Sequence, residues 1–342
     1  MKKYRQLTLG IIPGLCMAIM VIDAKTAVLG AKIGVDLCVQ TVIPAIFPFV
    51  FVSMITNSYL PAVFSQLFKP LGRLCSIPKG CESILVVGLL GGYPVGAQSI
   101  STAYRNNGLC KADASRLLAF CSNAGPAFIF GMVSSLFSSM VISWTIWFIH
   151  ILGAIIVGML IPSKGTESPV IQTSKTIQPT EALEKAIYAT AKICGWVILF
   201  RMILSFANHW FLWMLPIEYQ VISTGLLELV NGCSALKEIT LESKRFLLCS
   251  SFLAFGGLCV CMQTASVSEG LPVSYYIRGK LMHSIISTIL AYFAHFMLFA
   301  KEQWCNIPFL FLAPGIASVF FLSGRISIKK GIAFRRKMMY TS

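Results

Sequence analysis

The sequence predicts an all-α polytopic membrane protein, with about eight transmembrane helices plus two re-entrant hairpins arranged as two structural repeats. Three observations predict it. The first is composition: 56% of the 342 residues are hydrophobic and 12% are charged, with mean hydropathy +0.77, whereas soluble domains carry about 25% charged residues. The second is spacing, since apolar runs of the roughly 20 residues that cross a bilayer recur along the chain. The third is a pair of related Gly-rich interruptions, "GGYPVGAQSIS" at 91–101 and "GGLCVCMQTAS" at 256–266.

Residues 1–27 read as an N-terminal membrane anchor helix. "MKKYRQ" precedes an apolar run over 7–23, and no small-x-small cleavage site follows, which favours an uncleaved span over a signal peptide. Further spans are expected at 28–53, 112–139, 140–161, 184–208, 219–236, 280–300 and 304–323. The first repeat then covers 28–161 with a hairpin at 84–104, and the second covers 184–323 with a hairpin at 246–266. Between them, the Ser/Thr/Pro-rich stretch 162–183 reads as a polar cytoplasmic linker. Residues 324–342 form a basic cytoplasmic tail.

The topology follows from the basic residues. Suppose the N-terminus is cytoplasmic and each Gly-rich segment enters and leaves on one side. The basic clusters then gather inside, among them Arg105, Lys111 and Arg116 after the first break and Arg278 and Lys280 after the second. Only Lys25 and Lys301 fall in outer loops, as the positive-inside rule requires. The net charge of +15 fits loops near an anionic bilayer. It argues against nucleic acid, because the basic residues form no face with interleaved aromatics. The oligomeric state stays open, a homo-oligomer included.

The two Gly-rich segments align without a gap: Gly91 with Gly256, Gly92 with Gly257, Val95 with Val260, Gln98 with Gln263 and Ser101 with Ser266. Interrupted helices at matching positions of paired repeats are a feature of secondary transporters, with the substrate held between the repeats near the midplane. The competing reading is a scaffold whose glycines only let helices pack closely. Charge placement makes the repeats parallel, whereas many transporters have inverted ones, so their orientation is left open.

The candidate substrate-binding residues sit at the breaks. They are Gly92, Tyr93, Pro94, Gly96 and Gln98; Asn123, Gly125 and Pro126 in "FCSNAGPAFIFG"; Glu228 and Asn231 in "GLLELVNG"; and Gly256, Gly257 and Gln263. Asn123 is expected to cap a half-helix whose first turn holds Pro126, and its free N–H groups would attract a carboxylate. Pro94 offers a second such start. The alternative is a Pro–Gly kink without a ligand. Glu228 is a carboxylate inside an apolar span and a candidate for taking up a proton or cation, unless it sits in water at the membrane edge. Lys192, Arg201 and Lys280 are available to neutralise an anion, although the more ordinary reading of Lys280 is anchoring at the cytoplasmic surface. The twelve cysteines are scattered through apolar segments and read as reduced packing residues, with a metal site the minor alternative. The four histidines lack metal spacing. No nucleotide-binding or hydrolase motif occurs, so neither a cofactor nor an enzyme is expected.

"GLLGGYPVGAQSIS", "LLAFCSNAGPAFIFG", "LLELVNG" and "SFLAFGGLCVCMQTAS", with "VIPAIFPF" at 42–49, together resemble the YlbJ-type sporulation integral membrane proteins of the nucleoside-recognition, or Gate-domain, superfamily. The resemblance spans about residues 28–300. It implies a multi-pass protein of a spore-forming bacterium, placed in the mother-cell-derived membrane around the forespore. It also implies movement of dipicolinate, a small aromatic dianion, from the mother cell toward the forespore. Tyr93 and Phe128 are then candidates for stacking on its ring. Substrates differ within the superfamily, so a nucleoside is the second expectation. A non-transporting scaffold for spore cortex or envelope assembly is the third.

Overall fold

A computed structural model describes residues 2–59, 61–163 and 177–299. Among the described residues the regular structure is helical and no strand occurs. In chain order the helices are α1 (Lys2–Ile22), α2 (Ala24–Leu37), α3 (Ile43–Tyr59), α4 (Pro61–Leu67), α5 (Lys69–Leu74), α6 (Glu82–Leu90), α7 (Val95–Arg105) and α8 (Lys111–Leu118). They continue with α9 (Pro126–Gly131), α10 (Met140–Leu160), α11 (Pro179–Trp210), α12 (Ile217–Leu227), α13 (Leu229–Ala235), α14 (Glu242–Phe255), α15 (Gly257–Val267) and α16 (Val273–Leu298).

Among the described residues, five runs are long and apolar enough to cross a membrane: Ala24–Thr56, Met140–Leu160, Pro179–Trp210, Glu242–Val267 and Val273–Leu298. Val28, Val39, Phe148, Ile187 and Phe293 on these runs are each more than half exposed, an apolar exterior suited to lipid. Two expected spans are not single helices. The 112–139 segment is α8, a non-helical stretch and α9, while 219–236 breaks at Glu228 between α12 and α13. Gly and Pro in "SNAGP" and the side chain of Glu228 end these helices where hydropathy alone runs on. The expected span 304–323, the tail 324–342 and most of the linker lie outside the described residues. Helix α11 starts at Pro179, inside the expected linker, with proline in its first turn where the missing N–H has no intrahelical partner to lose.

Helix α2 begins at Asp23, whose Oδ1 accepts from the Thr26 amide at 3.2 Å, and runs through a π-helical turn at Cys38–Val42 into α3. It packs along α11. A Cβ on Gly30 would lie 2.9 Å from Met202 Cα, and one on Gly34 2.9 Å from Ile198 Cα. Small residues one turn apart thus bring two apolar helices to near contact.

The first Gly-rich segment forms a hairpin. Helices α6 and α7 pack on each other across a turn in which Gly92 has φ +77 and the Tyr93–Pro94 peptide is cis. A side chain at Gly88 or at Gly96 would run into the carbonyl of Cys121, so the hairpin clasps the non-helical stretch between α8 and α9. In the second half the paired short helices are instead α12 and α13, with Gly232 set against Gly225. Segment 246–266 does not double back along itself. Helix α14 packs with α10 and α16, and α15 leaves it at Gly256 and Gly257 (φ +83 and +77) to meet α7, α11, α12 and α16. Gly92 and Gly257, aligned in sequence, share the same left-handed φ, which glycine adopts without penalty.

Arg116 departs from the loop position its charge suggested. It is 4% exposed and donates to the carbonyls of Ile161 (2.8 Å), Ser76 (3.1 Å), Gly158 (2.9 Å) and Cys75. The C-terminal ends of α5 and α10 thus converge on one guanidinium, which satisfies carbonyls that helix termini leave free.

Gly96→Val should be destabilising by about 1–3 kcal/mol or more, the usual range for overpacking. Its new methyls meet backbone that has no side chain to move. Gly195→Ala, whose added methyl meets nothing within 4 Å, should leave the thermal unfolding midpoint of the purified protein unchanged or higher.

Candidate functional site

The breaks meet at one cavity of about 50 Å³. Its wall comes from α3 (Val42 just before it, Ile46, Phe49), the hairpin turn (Gly91, Gly92, Tyr93), the approach to α9 (Ala124, Gly125, Phe128), α11 (Ile193, Val197), the α12–α13 junction (Glu228, Leu229, Val230) and α15 (Val260, Gln263). Most of the lining is apolar. Tyr93, Glu228 and Gln263 supply its polar side chains.

Of the residues expected at the site, Gly92, Tyr93, Gly125, Glu228 and Gln263 line this cavity. The others stand behind it or away from it. Gly96 holds the contact with Cys121, and Pro94 is the residue before α7. Gly256 packs on Tyr93, whose Cζ lies 3.3 Å from a Cβ built there, and Gly257 abuts the Gly225 carbonyl and the Glu228 amide. Pro126 opens α9 as expected. Gln98 is only half-buried and is not in the cavity wall, so the aligned glutamines Gln98 and Gln263 are not equivalent in place.

Asn123 does not cap α9. The cap position is Gly125, in extended conformation with φ −80 and ψ 157. Two residues earlier, the Asn123 side chain turns inward: its Nδ2 donates to the Phe120 carbonyl at 2.7 Å and its Oδ1 accepts from Lys280 Nζ at 2.8 Å. The cap that does form is Glu228, which is 1% exposed and therefore not at a wet edge. It accepts from the Val230 amide at 3.1 Å, the Asn231 amide at 2.6 Å and Asn231 Nδ2 at 2.7 Å. The start of α13 is thus satisfied by the chain's own carboxylate and is not free for a ligand's. Gln263 Nε2 donates to Cys259 Sγ at 3.3 Å.

Lys280 was expected at the cytoplasmic surface and instead is fully buried, 0% exposed. Besides Asn123, its ammonium lies 3.4 Å from His283 Nδ1, and 5.0 Å and 5.9 Å from the ring centres of Tyr93 and Tyr276. His283 Nε2 donates to the His150 carbonyl at 2.9 Å, and His150 Nε2 accepts from the Ala124 amide at 3.0 Å. The two imidazoles are 4.7 Å apart. A signal for this cluster exists in the sequence: Tyr276, Lys280, His283 and Ser287 recur at steps of three and four, one face of a helix. None of the candidate cations Lys192, Arg201 and Lys280 is itself in the cavity wall; Lys192 sits over the Tyr188 ring at 4.6 Å.

The chain is similar to the sporulation integral membrane protein YlbJ of Bacillus subtilis (strain 168). The two are 22% identical over 307 residues, 76% of this chain and 75% of that one. No family model matches the chain, and no solved structure does. The similarity and the five apolar helices together support a membrane protein.

Glu228→Ala should cost about 1–2 kcal/mol by removing the α13 cap, read as a lower thermal midpoint. Glu228→Gln keeps an acceptor oxygen for the same amides and should lose less than half of that.

Proposed function

We infer that this protein is a secondary transporter of a small anionic metabolite in the membrane of a sporulating cell. The favoured cargo is dipicolinate moved from the mother cell toward the forespore. The observation that carries the reading is the convergence of the interrupted helices on one partly polar cavity. Non-helical backbone at membrane depth is tolerated where it is buried in protein or lines a cavity, and discontinuous helices around a central site are how many transporters bind cargo. Similarity to a sporulation integral membrane protein supplies the cellular setting. Tyr93 and Phe128, both on the cavity wall, suit an aromatic ring. Glu228, the carboxylate on that wall, is the group assigned to proton or cation coupling.

The cavity is small, about 50 Å³. Small-molecule sites usually enclose roughly 300–1,000 Å³, so a ring bearing two carboxylates enters only when the walls part.

The test is flux of labelled dipicolinate into vesicles carrying the purified protein. Wild type should move the label. Gln263→Ala should lose about five- to thirtyfold in flux, the worth of one hydrogen bond at a buried polar site, while Gln98→Ala should stay within about twofold. Equal flux from all three would remove the cavity from the path. No flux of dipicolinate or of nucleosides by folded wild type would favour the scaffold reading.

A further inference from the structure

We propose that Lys280 is the charge that receives the anion: a carboxylate of the cargo binds at Lys280 with Asn123, on the Tyr93 side of the cavity. This rests on the transport reading of the same cavity and adds to it the residues that hold the cargo's charge.

The argument starts from charge. Lys280 is 0% exposed, and among the described residues it forms no ion pair. Its partners are an amide oxygen, an imidazole nitrogen and two aromatic faces, all neutral. A buried charge is costly unless an opposite charge accompanies it. The other buried cation, Arg116, shows what a purely structural solution looks like here, with four carbonyls on its guanidinium. Lys280 has no carbonyl set of that kind.

The surrounding groups are also rich in donors. Because His150 Nε2 accepts from the Ala124 amide, a neutral His150 carries its hydrogen on Nδ1, and that atom is buried without an acceptor. His283 donates through Nε2 and accepts from Lys280 through Nδ1. A cation beside an unspent N–H is complementary to an anion with several lone pairs, such as a carboxylate.

Position ties this cluster to the cavity. Tyr93 belongs both to the cavity wall and to the surroundings of Lys280. Asn123 immediately precedes Ala124 and Gly125, which also line the cavity. The wall also carries the carboxylate of Glu228, which repels an anion. A cargo carboxylate is therefore drawn to the Tyr93–Asn123 side. Tyr93 is held there by its hydroxyl, which donates to the Leu253 carbonyl at 3.1 Å. Release of that bond gives the cargo access to the ammonium.

The experiment measures binding of labelled dipicolinate to the purified full-length protein in detergent, beside its neutral analogue pyridine-2,6-dicarboxamide and beside flux in vesicles. Wild type should bind the dianion about ten- to a hundredfold more tightly than the diamide, the worth of a charge-assisted hydrogen bond. Lys280→Met should lose a similar factor without a lower thermal midpoint, since it removes an uncompensated buried charge. Lys280→Arg should recover part of the affinity. Lys280→Met that binds like wild type, or a diamide that binds as tightly as the dianion, overturns the proposal while flux leaves the transport reading standing. Wild type that neither binds nor moves dipicolinate or acetate overturns both. Should Lys280→Met fail to fold, the dianion-to-diamide comparison on wild type decides alone.

Discussion

Non-helical backbone buried inside an apolar bundle must find every hydrogen-bond partner within the protein, and this constraint organises the structure. Water is absent from the hydrocarbon region, and an unpaired amide or carbonyl there costs several kcal/mol. The stretch between α8 and α9 meets the demand with side chains. The Phe120 carbonyl accepts from Asn123, and the Ala124 amide donates to His150. The backbone of the breaks is also covered by other backbone. The Cys121 carbonyl fits between Gly88 and Gly96, Gly92 lies on Gly125, and Gly257 lies on the α12–α13 junction. Each break thus closes off another, which is why they cluster and why a cavity remains where their curvatures do not match.

The same demand acts at helix ends, and the chain answers it with charge. Arg116 collects carbonyls from the ends of α5 and α10, and Glu228 collects amides from the start of α13. Both charges face the end of a helix dipole that favours their sign, so each is stabilised by the backbone groups it meets. Lys280 faces no helix end among its contacts. A single lysine in such surroundings is a poor structural choice, which separates it from the other two by physical reasoning and not by burial alone.

Much of this was legible in the sequence. Composition and run length identify an all-helical membrane chain, and the glycines, prolines and polar residues at 91–98, 123–126, 228 and 256–263 mark the breaks that the structure brings together. Details set by tertiary packing were not legible. Asn123 is a good cap by residue type, yet Lys280, 157 positions away, takes its oxygen, and Gly125 takes the cap position. Hydropathy joined α12 to α13 because Glu228 is one polar residue among apolar ones; only the amides it accepts from show that it ends one helix and starts another. Counting basic residues by loop placed Arg116 and Lys280 at the cytoplasmic surface, since a rule about charge sees no burial. The polar stripe on α16 carried the missing signal, but a stripe shows only that one face differs, not what lies against it.

The packing of the long helices bears on how such a cavity opens. Helices α2 and α3 pack with α11, and α10, α14 and α16 pack with one another. Among the described residues no extended contact joins a helix of the first group to a helix of the second; they connect through the short, broken elements α6–α9, α12, α13 and α15. The cavity lies at that junction, with α3 and α11 on one side and α9, α15 and the hairpin turn on the others. Close helix contacts such as Gly30 on Met202 and Gly34 on Ile198 resist separation within the first group, because packed interiors rearrange between discrete fits and do not stretch. Displacing the broken elements disturbs fewer such fits, and bistable packing of this kind is what amplifies a small local change into a larger one. If the protein transports as inferred, the residues that move most are therefore those that already interrupt helices.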